Sequence, residues 1–82
     1  MEKNEFEDKW KTIRAQSKAW WSLITDSDLE RVDKADSKLL EYLSLLHMKY
    51  ALDSQTAEAE IASRLKEYET FAGLKIEAVD PR

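Results

Sequence analysis

The chain has no cysteine, one glycine, one proline and one histidine among its 82 residues. Without cysteine there is no disulfide staple, no thiolate metal ligand and no thiol nucleophile. A single glycine cannot build a glycine-rich phosphate loop, and a lone histidine makes neither a His–His metal pair nor a network of imidazoles. No apolar run approaches the roughly 20 residues that span a bilayer, and Met1-Glu2-Lys3-Asn4-Glu5 lacks the character of a secretory signal. The expectation is a cytoplasmic protein with no membrane partner. Basic stripes are missing too. Residues 1–20 are close to charge-neutral, residues 21–41 and 42–82 are acidic, and the whole chain carries −4. Phosphate neutralisation needs clustered Lys and Arg, so no nucleic-acid partner is expected.

What is present favours a folded chain. Hydrophobic residues make up 43% and charged residues 37%, enough apolar surface for a small core and too mixed a charge for a disordered tail. The length allows one domain, expected over residues 1–73. Apolar residues recur at steps of three and four nearly throughout, which is the signature of amphipathic helices. Phe6, Trp10, Ile13, Ser17, Trp21 and Ile24 fall on one narrow stripe and predict a first helix over about 4–23.

Thr25-Asp26-Ser27-Asp28-Leu29-Glu30 punctuates the chain. A Thr25 or Ser27 hydroxyl can cap a second helix, about 26–35, and Ser27 with Glu30 has the capping-box spacing. The rhythm Leu29, Val32, Asp36, Leu39, Leu43, Leu46, Tyr50 is unbroken, so one helix over 26–51 is an alternative. Asp36 on the seam, with Asp36 or Ser37 as a fresh cap, favours a break near 34–37. A third helix over about 37–51 then turns Leu39, Leu40, Leu43, Leu46 and Tyr50 inward. Asp53, Ser54 and Thr56 offer the next cap, for a fourth helix over about 54–72 with Ala57, Ile61, Leu65, Tyr68 and Phe71 or Ala72 on its stripe. Gly73 stands where a left-handed stop is wanted, with Leu74 folding back on the last turn. Residues 74–82, which contain the only proline, read as a flexible, frayed tail. The fold class is all-α, four short helices joined by polar turns.

No group of residues stands out as chemistry. His47 lies on the flank of the third helix. Asp26, Asp28 and Glu30 resemble the opening of a calcium loop, but Arg31 occupies the glycine position and Ser37 the position of the bidentate glutamate. These acids suit a helix N-terminus, where negative charge is favoured. No catalytic, cofactor-binding or metal-binding residue is assigned, and the chain is not expected to be an enzyme. Trp20-Trp21 is the oddity. Either both indoles flank the core, or Trp21 is core and Trp20 is an exposed anchor that forms a partner-binding patch with Leu23, to which Leu45 and Leu52 would add.

From Trp10 onward the chain resembles the CsbD-like family of small bacterial general stress-response proteins. The resemblance is carried by Trp10, Ile13, Trp21 and Ile24-Thr25-Asp26-Ser27-Asp28-Leu29, and continues through Val32, Leu39, Leu43, Tyr50, Ala57-Glu58 and Ile61. It covers about residues 6–66 and is that of a divergent member, with Ala15, Lys34 and Glu41 where the family commonly has glycine. It implies two packed α-hairpins in a bacterial cytosol, abundance raised under general stress, no cofactor and no catalytic residues. The functional expectation is a non-enzymatic stress-response protein, monomeric or weakly dimeric. The alternative is a helical binding module or inhibitor that docks a protein partner through the aromatic patch around Trp20.

Overall fold

The computed structural model describes residues 2–79, with side chains as far as Phe71. All five elements among the described residues are α-helices: α1 (Lys3–Asp8), α2 (Trp10–Trp20), α3 (Asp26–Asp33), α4 (Lys38–Tyr50) and α5 (Ser54–Val79). No strand occurs among them. The one helix expected over 4–23 is two. Lys9, at φ −101° and ψ 6°, bends the chain between α1 and α2. Hydrogen bonding continues across the bend, from Lys9 N to Glu5 O at 3.1 Å and from Ile13 N to Lys9 O at 2.9 Å. The apolar stripe survives for that reason, and Phe6, Trp10, Ile13 and Ser17 are all buried. The helix ends earlier than expected, at Trp20, because Trp21 is extended at φ −133° and ψ 98°. Its indole enters the core from a turn rather than from a helix face.

Thr25 is the cap of α3. Its hydroxyl accepts from Asp28 N at 3.2 Å while the Asp28 carboxylate accepts from Thr25 N at 3.0 Å, a reciprocal capping box. The expected Ser27–Glu30 box does not form. Both residues lie inside α3 and are exposed, since the helix has already begun at Asp26. The break at 34–37 is present, which removes the single-helix alternative for 26–51. Ser37 caps α4 through Leu40 N at 3.4 Å, and Asp36 is exposed in the connection.

Helix α4 is the hub, packed against α1, α3 and α5. It therefore buries a wide face: Leu39, Tyr42, Leu43, Leu45 and Leu46 cover an arc of about 160° at 100° per residue. Two expectations change with that width. Leu45, read as an off-stripe surface residue, is buried at 1% exposure, while Leu40, read as inward, is 66% exposed because it lies beyond the arc. Tyr50 is half-buried. After α4 the chain turns on Ala51, whose φ of 57° and ψ of 31° are left-handed. Asp53 then caps α5, its carboxylate accepting from Thr56 N at 2.7 Å.

Helix α5 buries Ala57, Ile61 and Leu65, leaves Tyr68 half-buried, and exposes Phe71. It continues through Gly73 to Val79, so the helix stop expected at Gly73 is corrected. Glycine costs about 1 kcal/mol relative to alanine inside a helix but does not by itself end one. Leu74 to Ala78 are otherwise tolerant of helix. The expected Leu74 packing contact and residues 80–82 of the expected tail lie outside the described residues. The body measures 46 × 25 × 23 Å. Its longest helix spans about 39 Å at 1.5 Å per residue.

Candidate functional site

The residues singled out in the sequence mostly meet in one core. Trp10, Ile13, Trp21, Ile24, Leu29, Ala57 and Ile61 are buried together, and Tyr50 packs on them. Phe6, Trp10 and Tyr42 form a three-way aromatic cluster with centroids 5.5 to 5.8 Å apart. At its rim Trp10 Nε1 donates to Asp33 Oδ1 at 2.7 Å, and Arg14 Nε donates to both Asp33 oxygens at 2.9 and 3.1 Å. The Trp10 hydrogen bond, with the Arg14 charge behind it, holds the Asp33 carboxyl below the usual carboxylate range against the opposing effect of burial.

Deeper in, Ser17 and Tyr42 form a buried polar chain. Ser17 Oγ donates to Ile13 O at 2.6 Å, which uses its single proton. Tyr42 must then donate to Ser17 Oγ, 2.7 Å away. Burial pushes the Tyr42 phenol up to about 12, with Ser17 and Trp21 only partly opposing that shift. The Trp21 indole N–H favours the Tyr42 oxygen without completing a hydrogen bond to it. It is the one buried side-chain donor among the described residues with no partner. The face of Trp21 is occupied instead: the Arg64 guanidinium lies 4.1 Å above the ring and the Tyr50 ring is 5.4 Å away. Arg64 is also paired with Glu60 one turn earlier.

The acidic turn is accounted for by structure. Asp28 is covered by its immediate neighbours yet lies near the molecular surface, where Lys49 Nζ sits 2.9 Å from Oδ2. Burial raises its carboxyl, but Lys49 and the Thr25 amide and hydroxyl together outweigh that and leave it lowered. Asp26 is exposed and pairs with Lys18 at 2.8 Å, which lowers its carboxyl. Thr25 is exposed apart from its capping role. No group of three or more His, Asp and Glu residues suited to a metal ion occurs among the described residues. His47 is exposed, with Nδ1 3.2 Å from Leu52 O at the end of α4.

The proposed Trp20 patch divides. Leu23 is 52% exposed. Trp20 is half-buried and packs on the core, as does Leu52. Leu23 N donates to Tyr50 Oη at 2.9 Å, so the loop that carries Leu23 is tied to α4. Between α1 and α5 a cleft of about 300 Å³ is lined by Glu5, Lys9, Leu65 and Glu69 among others, and is crossed by the Lys9–Glu69 ion pair at 2.6 Å. That pair raises the Lys9 ammonium above its usual range. Sequence reasoning missed Tyr42, Asp33 and Arg64. Only the proximity of Tyr42 to the Leu39–Leu43 stripe carried a signal.

No helix among the described residues is long and apolar enough to cross a membrane. Compared with protein-family models, curated proteins and solved structures, the chain matches none.

Proposed function

We propose that this chain is a non-enzymatic cytoplasmic stress-response protein of the CsbD-like kind, acting through protein contacts or abundance rather than through chemistry. One observation supports the reading. The residues that carry the resemblance have architectural work: Trp10, Ile13, Trp21, Ile24 and Leu29 fill the core, and Thr25 with Asp28 closes the capping box. A motif spent on packing and capping suits a protein whose fold is the selected feature. The two-hairpin arrangement belongs to this reading, and the packing of α4 against both α3 and α5 favours it. The test is the level of the protein in its source cells during growth and after osmotic, starvation and heat stress. A large rise under several stresses is expected; a constant low level sinks the proposal.

A second reading, a module that docks one protein partner, is favoured by the exposure of Leu23 beside the half-buried Trp20. Under it, Leu23→Ser leaves the thermal melt unchanged and abolishes partner capture. Trp20→Ala also weakens capture but lowers stability, because that indole packs on the core. Capture indifferent to Leu23 removes this reading.

A further inference from the structure

Among the described residues, only one non-glycine residue has a positive φ, and it sits in the linker between α4 and α5. Left-handed backbone brings the Cβ of Ala51 close to the following carbonyl, a penalty glycine avoids. The linker is short, Ala51-Leu52-Asp53, and two of its three residues are good helix formers. Short hinges under strain favour the exchange of whole elements between copies.

The sequence on either side supports an open form. Leu39, Leu43, Leu46 and Tyr50 precede the linker, and Ala57, Ile61 and Leu65 follow it. If residues 51–53 become helical, all seven fall on one continuous stripe at steps of three and four, with only Asp53 interrupting it. Straightening Ala51 therefore joins α4 and α5 into one amphipathic helix and does not expose a polar seam.

Over its described side chains, residues 54–71, α5 inserts Ala57, Ile61 and Leu65 into the core, the first of them a single methyl group. The ties flanking them include the Lys9–Glu69 pair, with both side chains at least a third exposed, and Arg64 stacked on Trp21. Releasing α5 uncovers core residues, Trp21 among them. That surface is complementary to one helix of the chain, α5 itself.

We infer that the seat of α5 is an interaction surface for α5 of a second copy of this chain, reached by straightening at Ala51, so that two molecules exchange α5 and form a swapped dimer. Each seat is refilled by the same side chains, and both left-handed turns are removed. This proposal does not depend on the stress-response reading.

The experiment is light scattering and sedimentation of the full chain over about 10 μM to 1 mM, after equilibration at mild heat. A dimer that grows with concentration and exchanges slowly with monomer is expected. Ala51→Gly relieves the left-handed turn and weakens the straightened helix, so it lowers the dimer association constant about tenfold per hinge. Asp53→Ala removes the cap of the closed form and the interruption of the open stripe, and raises the constant by about tenfold per hinge. Neither change touches the core, and circular dichroism confirms that each variant is folded. Exchange is distinguished from side-by-side contact by charge reversal. Lys9→Glu and Glu69→Lys each place like charges at residues 9 and 69 of one chain; mixing them restores both pairs only if α5 is exchanged, so a mixed dimer is enriched over either dimer alone. A chain that stays monomeric even as Asp53→Ala, a dimer indifferent to residues 51 and 53, or a mixture with no such enrichment overturns the proposal.

Discussion

Two tryptophans are buried in the same core, and they are held differently. Trp10 leaves a helix face, stacks on Phe6 and meets Tyr42 edge-on, both within 6 Å, and spends its N–H on the Asp33 carboxylate. Trp21 leaves an extended residue, has its N–H unpaired, and is covered by a cation and a tyrosine ring. Both are buried to similar depth, at 7% and 5% exposure, so burial does not separate them. The difference lies in polar satisfaction. A buried donor without a partner forfeits on the order of 1–3 kcal/mol that a paired one keeps. The Trp10 end is the firmer of the two.

The largest effect expected from this contrast is in the tryptophans themselves. Trp10→Ala costs about 4–5 kcal/mol, through lost packing and the lost hydrogen bond to Asp33, whereas Trp21→Ala costs about 3 kcal/mol because no hydrogen bond is lost. Urea unfolding of the two variants measures the gap, and equal losses break the comparison. Smaller is the effect of Asp33→Asn, about 1 kcal/mol after allowance for the partial exposure of the carboxylate. Its pH dependence is more telling. Asp33 is lowered in the folded state, so its contribution is complete above the unfolded carboxylate value near 4 and is lost as pH falls through the lower folded value. The stability difference between wild type and Asp33→Asn is expected to be flat above about pH 5 and to shrink below about pH 4. A difference that persists undiminished at pH 2 removes Asp33 from this role. Smallest is Arg64→Gln, about 0.5–1 kcal/mol, since the stacked guanidinium is partly exposed. The indole emission of Trp21 is expected to shift in this variant while the Trp10 end stays unperturbed, as read by near-ultraviolet circular dichroism.

The contrast also marks how far the sequence could be read. The stripe from Phe6 to Ser17 was legible, because a helix repeats its geometry every turn and the apolar positions obey it. So was the interruption between α3 and α4, since Asp36 cannot sit on a buried seam. Tyr42 and Leu45 were not, because a single stripe assumes one neighbour and α4 has three. Leu40 failed for the converse reason, as adjacency to Leu39 says nothing about facing inward. Thr25 and Ser27 have the same capping chemistry, and the choice between them depends on where the backbone first turns helical. Gly73 and Ala51 exchanged their expected roles: the residue suited to a left-handed turn stayed in a helix, while an alanine took the turn because the chain had to reverse there. The exposure of Leu23 was legible from its place off the stripe, but the tie to the Tyr50 hydroxyl that fixes its loop depends on two segments 27 residues apart.

The elongation of the body has a hydrodynamic meaning. At 46 × 25 × 23 Å, with a radius of gyration of 13.7 Å, the molecule is nearly twice as long as it is wide. A compact chain of this length would have a radius of gyration of about 12 Å. A rod-like particle drags more solvent than a sphere of equal mass and tumbles faster about its long axis than end over end. A single copy therefore passes for a heavier particle wherever size is inferred from friction.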